Sequence, residues 1–128
     1  MQRKMLKSKI QEVRVTSKEI HYAGSLGVDT NLLEAADIVC GEQIHVFNVT
    51  NGARLITYAI PAPKGSGIIS VKGAAARLIE KGDVLLVLSF AMMDEEELAA
   101  YSHRIVFVDE NNHLVRVENR TADDYLTV

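Results

Sequence analysis

The feature that most restricts how this chain folds is Asn51-Gly52, set between two runs of β-branched and aromatic residues, Gln43 to Thr50 and Ala53 to Ile60. Both turn residues tolerate positive φ, so the pair predicts an antiparallel hairpin. Ile68 to Val71, Val84 to Phe90, Ile105 to Val108 and Leu114 to Val117 read as four further short strands. Val13 and Val15, alternating with Arg14 and Thr16, read as a half-buried strand. Helical signals are brief. Asp29 offers an N-cap before Leu32-Leu33-Glu34-Ala35-Ala36, with Gly41 where the chain leaves that helix. Asp94 with Glu97 three residues later predicts a capping box opening a short helix at Glu95 to Tyr101. Many short strands joined by tight turns favour a barrel or a sandwich.

An internal echo favours the barrel. A shift of 41 residues pairs Ala35 with Ala76, Ile38 with Ile79, Gly41 with Gly82, Glu42 with Asp83, Ile44 with Leu85 and Val46 with Val87. Each copy reads as a short helix, a Gly-acid turn and a strand, as two pseudo-symmetric halves of a small closed barrel would.

Composition narrows the function. At 128 residues, 48% hydrophobic and 24% charged, the chain has the size and make-up of one ordinary globular domain. No apolar run is long enough to span a membrane, and MQRKMLKSKI has no apolar segment behind its basic residues, so a cytoplasmic protein is expected. Cys40, the one cysteine, can form neither an internal disulfide nor a thiolate cluster and reads as a small packing residue. His21, His45, His103 and His113 lack metal-ligand spacing, so no metal is expected. Residues 1–24 carry six basic side chains against two acidic, and residues 25–128 eight against fifteen. Spaced bases on an acidic body with 5% aromatics argue against nucleic acid and for an anionic small molecule. Residues 119–128 read as a polar, flexible tail.

The candidate chemistry lies in His21-Tyr22-Ala23-Gly24-Ser25. A hydrolase elbow needs glycine two residues before the serine, where this chain has Ala23, and nothing in the spacing singles out a histidine for a triad. An ordinary serine turn ahead of the Asp29 cap is the simpler alternative. Serine after glycine also suits attack on its own backbone, because glycine leaves the preceding carbonyl carbon open to the hydroxyl. Such an N-to-O acyl shift turns the Gly24–Ser25 amide into an ester. β-Elimination then cuts the chain and leaves dehydroalanine, which loses ammonia to give a pyruvoyl group, a ketone able to draw electrons from a substrate as PLP does elsewhere.

Several segments, in order, carry a resemblance: MLKSKI at 5–10, VT at 15–16, HYAGS at 21–25, the run from Asp29 to Ile38, NVTNGARLITYAI at 48–60, KGSGIISV at 64–71, GAAA at 73–76 and GDVLLVLSFA at 82–91. Over nearly the whole chain the sequence resembles the pyruvoyl-dependent aspartate decarboxylases, which make β-alanine for pantothenate. The resemblance implies a mainly β fold, a six-stranded double-psi β-barrel with short flanking helices, assembled as a homotetramer with sites between neighbouring subunits. It implies self-cleavage between Gly24 and Ser25 into chains 1–24 and 25–128, and a covalent pyruvoyl cofactor made from Ser25, with no PLP and no metal. L-Aspartate is the implied substrate. Lys9 and Arg54 match the basic positions that hold its carboxylates, Thr57 the oxyanion donor of self-cleavage, and Tyr58 the acid that returns a proton after carbon dioxide leaves. Gly73, Ala74 and Ala75 match backbone that lines the substrate site, and Tyr22 another lining position.

Three positions depart from the family pattern. Lys72 stands where asparagine is usual, adding a charge beside both the cleavage machinery and the substrate site; Gln11 replaces a histidine and Phe47 a tryptophan. A maturation helper protein is compatible with this reading. The rivals are a non-cleaving barrel with a binding role, a serine hydrolase, and a decarboxylase of a related amino acid.

Overall fold

The computed structural model describes residues 1–126. Nine strands form it: β1 (Arg3–Arg14), β2 (Ser17–Glu19), β3 (Ser25–Asp29), β4 (Gln43–Asn48), β5 (Arg54–Ala62), β6 (Ile69–Lys72), β7 (Val84–Met93), β8 (His103–Val108) and β9 (Leu114–Arg120). Their order in the sheet is β2-β6-β3-β5-β4-β7-β1-β8-β9. Only Val15 and Thr16 separate β1 from β2, and Thr16 N–H donates to the Ile69 carbonyl at 2.8 Å. The sheet therefore closes on itself through its first strand. Six strands make the ring, with β1 and β2 counted as one, and β8 and β9 extend from the other edge of β1. The six-stranded double-psi barrel is thus present within a larger nine-stranded sheet.

The 41-residue echo is structural. Gly41 N–H donates to the Ala59 carbonyl at 2.8 Å while Ala59 N–H donates to Glu42. In the other half, Gly82 N–H donates to the Val15 carbonyl at 2.8 Å while Val15 N–H donates to Asp83. The halves meet twice, where β4 pairs antiparallel with β7 and where β3 pairs antiparallel with β6. Alternate residues of the ring point inward: Ile10, Val13, Leu26, Val28, Ile44, Val46, Ile69, Val71, Leu85 and Val87 are all at most 1% exposed. Burying each is worth about 1.5–3 kcal/mol, which makes this interior the main source of stability.

Two caps form as the sequence indicates. Asp29 opens α1 (Thr30–Ala35), and Asp94 with Glu97 makes a capping box on α2 (Glu95–Ala99). The Asp29 carboxylate is 1% exposed and accepts from the backbone N–H groups of Asn31, Gly65 and Gly67, each at 2.9 Å. It ties the end of β3 to the loop that leads into β6. Asp29→Ala removes the acceptor of three backbone donors, of which the one at Gly67 is buried, and should lower stability by about 2 kcal/mol, read as a lower urea midpoint at unchanged slope.

Other expectations are corrected. Asn51-Gly52 does sit between two antiparallel strands, but the connection spans residues 49–53 and only Gly52 takes positive φ. Asn51 instead uses its side chain, accepting from Ala53 N–H and donating to the Leu78 carbonyl. Cys40 is exposed, not packed. The segment expected as a loose tail completes β9 and forms α3 (Ala122–Leu126); residues 127–128 lie outside the described residues. Tyr125 of α3 bonds His103 Nε2 at 2.8 Å, and Tyr101 bonds His103 Nδ1 at 3.0 Å. Because the Tyr101 proton goes to the Leu6 carbonyl, Nδ1 is the donor to Tyr101 and Nε2 accepts from Tyr125. Burial, with Lys9 and Arg120 nearby, holds His103 below the usual imidazole range.

Candidate active site

Ser25 begins β3 and is 1% exposed, yet its Oγ has no hydrogen-bond partner. Among the described residues one other buried side-chain atom shares that condition, His45 Nε2, whose ring packs edge-on against Phe90. Ser25 also has φ of +118°, preceded by Gly24 at +108°. An unpaired buried hydroxyl costs about 1–3 kcal/mol, and a non-glycine residue at such a φ about as much again. No histidine stands on Ser25 Oγ, so no hydrolase triad is assembled around it.

A cavity of about 250 Å³ opens beside this serine, lined by Gly24, Ser25, Thr57, Lys72, Ala74 and Ala75, with Leu55, Ile56 and Leu78 as an apolar wall. Size does not distinguish it, since a depression of about 400 Å³ lies between Gln11, Arg14 and Glu110. Its chemistry does: a strained, unpaired nucleophile, a hydroxyl, a cation and small residues converge. Three elements supply them. β3 starts at Ser25, its parallel neighbour β5 brings Thr57, and its antiparallel neighbour β6 ends at Lys72 before a 3₁₀ turn over Gly73–Arg77.

Two backbones touch here. Gly73 has φ of +72°, and a Cβ on it would lie 2.6 Å from Gly24 Cα and 2.8 Å from Gly24 N. Gly73 thus packs against the Gly24–Ser25 turn and is not among the lining residues, while Ala74 and Ala75 line the cavity. Tyr22 lies under Lys72, whose Nζ is 4.2 Å from the ring centre. Thr57 and Tyr58 are consecutive on a strand and point to opposite faces, and only Thr57 lines the cavity. The Tyr58 hydroxyl nevertheless donates to the Gly24 carbonyl at 3.3 Å. That contact, on the carbonyl Ser25 would attack, was not legible in the sequence, nor was the wall of Leu55, Ile56 and Leu78.

Lys9 and Arg54 do not join this group within the chain. Lys9 is on β1, paired with Leu88 and Ile105 on the far flank of the ring. Arg54 opens β5 but lies over the Phe47 ring at 4.3 Å and is not among the lining residues. No cluster of metal-ligating side chains occurs among the described residues, and no helix there is long and apolar enough to cross a membrane.

Comparison with known proteins gives a consistent result. Residues 1–115 match the family model described as aspartate decarboxylase. The chain is 52% identical over 121 residues to the aspartate 1-decarboxylase of Chromobacterium violaceum, covering 94% of this chain and 96% of that protein. It is 51% identical over 113 residues to the aspartate 1-decarboxylase of Herminiimonas arsenicoxydans, covering 88% and 95%. It is 49% identical over 122 residues to that of Mycolicibacterium smegmatis, covering 95% and 90%. Among solved structures, the rationally designed mkDPBB_sym_86 protein matches with a TM-score of 0.46 and 16% identity, covering 60% of this chain and 90% of that one.

Proposed function

The chain belongs to the aspartate decarboxylase family, and from that premise we propose that it builds its own prosthetic group by cutting itself between Gly24 and Ser25. It is a carboxy-lyase that converts L-aspartate to β-alanine and carbon dioxide, and the β-alanine supplies pantothenate and coenzyme A synthesis in the cytoplasm. The observation that carries the self-cleavage is the buried, unpartnered Ser25 Oγ at a left-handed φ, directly after glycine. The hydroxyl is desolvated, held in strain and joined to an unhindered carbonyl.

In the acyl shift, the Ser25 Oγ–Gly24 carbonyl carbon bond forms as the Gly24–Ser25 C–N bond breaks, and the hydroxyl proton passes to the freed amine. Charge develops on the Gly24 oxygen, where a hydroxyl donor stabilises it. Thr57 is that donor in this reading, its side chain facing the same cavity. β-Elimination of the ester then releases residues 1–24 with Gly24 as their carboxyl terminus and leaves dehydroalanine at residue 25, which tautomerises to an imine; one water adds, ammonia leaves, and the water oxygen becomes the ketone oxygen of the pyruvoyl. The residues fit such a group: the vacated hydroxyl was unbonded, and Gly73, Ala74 and Ala75 leave room beside it. When present, the pyruvoyl supplies a carbonyl that condenses with the substrate amine and withdraws electrons as carbon dioxide departs.

The chain's side chains do the rest. Tyr58 carries the proton to the α-carbon, and its hydroxyl already lies beside residue 24. Arg54 and Lys9 hold carboxylate charge, Arg54 through a planar fork suited to two oxygens. Neither lines the Ser25 cavity of its own chain, which supports delivery from a neighbouring subunit of a homotetramer. The exposed Ile56 and Leu78 at the cavity mouth suit such a contact.

The test is the intact mass of the purified protein under denaturing conditions. Two fragments split after Gly24, the larger lighter by one ammonia than a serine-started chain, establish the pyruvoyl. A full-length mass that persists through prolonged warm incubation means that a helper protein is needed or that the barrel serves another purpose. Tyr58→Phe separates the two reactions. At 3.3 Å its hydroxyl is a long donor to Gly24, so cleavage should slow no more than about threefold while turnover of L-aspartate falls at least about a hundredfold. Fragment masses and β-alanine formation on one sample check both.

A further inference from the structure

The strand pairing sets a lysine across from the reactive serine. Lys72 is the antiparallel partner of Ser25, so both side chains leave the sheet on one face. The next residue on that face of β3 is Gly27, where a Cβ would lie 3.8 Å from Lys72 Cε and 3.4 Å from Ser70 Cβ. The lysine stem thus passes over Gly27 and puts its ammonium on the Tyr22 ring. That ring restrains the ammonium without neutralising it. Lys7, Lys18 and Lys64 each have a carboxylate within 3.1 Å, whereas Lys72 has no ion-pair partner among the described residues. It is the one basic side chain lining the Ser25 cavity, and it also lines the adjoining depression of about 390 Å³ beneath Tyr22.

We propose that Lys72 joins Arg54 and Lys9 on the carboxylate that the substrate keeps, as a further specificity residue that sharpens the preference of this site for dicarboxylic amino acids. The inference rests on the decarboxylase reading and adds a specificity residue to it. The choice between the two carboxylates follows from charge. The departing carboxylate loses its charge as carbon dioxide forms, so a cation bound to it is worth more in the ground state than in the transition state and slows the reaction. A cation on the surviving carboxylate is worth the same in both states and selects the substrate without that penalty. The apolar wall of Leu55, Ile56 and Leu78 offers the departing group an uncharged surface.

Succinate, which has two carboxylates and no amine, and succinamate, in which one carboxylate is a carboxamide, probe this without chemistry. Each is titrated calorimetrically into full-length Ser25→Ala protein carrying Lys72, Lys72→Met or Lys72→Arg. Succinate should bind the lysine form at least about tenfold more tightly than succinamate, a difference of about 1.4 kcal/mol. Lys72→Met should lose most of that preference, and Lys72→Arg should keep it within about threefold. Equal affinities with and without Lys72, or no succinate binding to the lysine form, overturn the proposal. If Lys72→Met does not fold, Lys72→Gln carries the same comparison. On cleaved protein, Lys72→Met should raise KM for L-aspartate about tenfold while kcat per cleaved chain stays within about threefold. Binding of succinate needs no cleavage, so the two readings fail separately. Lys72-dependent binding by a protein that never turns over aspartate sinks the proposed function alone. Turnover with Lys72-independent binding sinks only the role of Lys72.

Discussion

Replacing Ser25 by alanine leaves one uncut chain of 128 residues and no β-alanine formation above background, with the fold intact. The expectation separates chemistry from architecture. The Ser25 hydroxyl has no partner to lose, so its removal breaks no hydrogen bond, and relief of an unsatisfied buried group offsets the lost packing of one oxygen. Alanine meets the same φ of +118° as serine, so backbone strain stays. Thermal unfolding should therefore shift by no more than about 1 kcal/mol equivalent. Cleavage should stop altogether, because the oxygen that forms the ester is gone. Mass spectrometry and a melt on one preparation decide the matter. Fragments split after Gly24 in the alanine variant would show that another nucleophile cuts the chain. An uncut but unfolded variant would show that the hydroxyl has a structural partner after all.

Gly73→Ala should produce the second large effect, through contact with the backbone to be cut. The added methyl would lie 2.6 Å from Gly24 Cα and 3.0 Å from the Tyr22 carbonyl, and none of these atoms is the free end of a flexible side chain. Its φ of +72° adds conformational cost. Together these should destabilise the protein by about 3 kcal/mol and push Gly24 away from Ser25. A displacement approaching 1 Å at a reacting centre costs about a hundredfold in rate, so cleavage should slow by at least that factor. Gly41→Ala is the control: φ is +87°, but nothing lies within 4 Å of the added methyl. It should cost about 1 kcal/mol and leave cleavage alone. A cleavage time course by mass, with urea titrations of both variants, tests the difference. Equal cleavage rates would show that the Gly73–Gly24 contact does not position the scissile bond.

Local rules carried much of the fold because they act over a few residues. Asp29 and the Asp94–Glu97 pair cap helices as their spacing indicates, and the paired Gly-acid corners at 41–42 and 82–83 are visible as a repeat. The misses share another cause. β1 begins at Arg3, ten residues before the alternation at Val13, because the barrel buries Ser8 against Ser89 there and lets Lys4, Lys7 and Lys9 run their stems outward. A buried serine and spaced lysines carry no strand signal until a partner strand exists. The site divides the same way. HYAGS, Thr57 and GAAA are contiguous motifs, and they do converge. Whether Lys9 and Arg54 face Ser25 depends on ring order, which spacing along a chain does not encode.

The strand pairing also bears on the strain at Ser25. The chain enters β3 through Gly24 at φ +108° and Ser25 at +118°, and it approaches β6, the antiparallel neighbour of β3, through Gly67 at +69°, where a Cβ would lie 2.4 Å from the Asn111 carbonyl. Both strands of the pair are thus approached through positive-φ backbone, and only one approach carries a reactive side chain. The awkward backbone belongs to the architecture. Serine at position 25 occupies a bend of a kind that the neighbouring strand meets with glycine, so reactivity here is a tenant of the scaffold and not its builder.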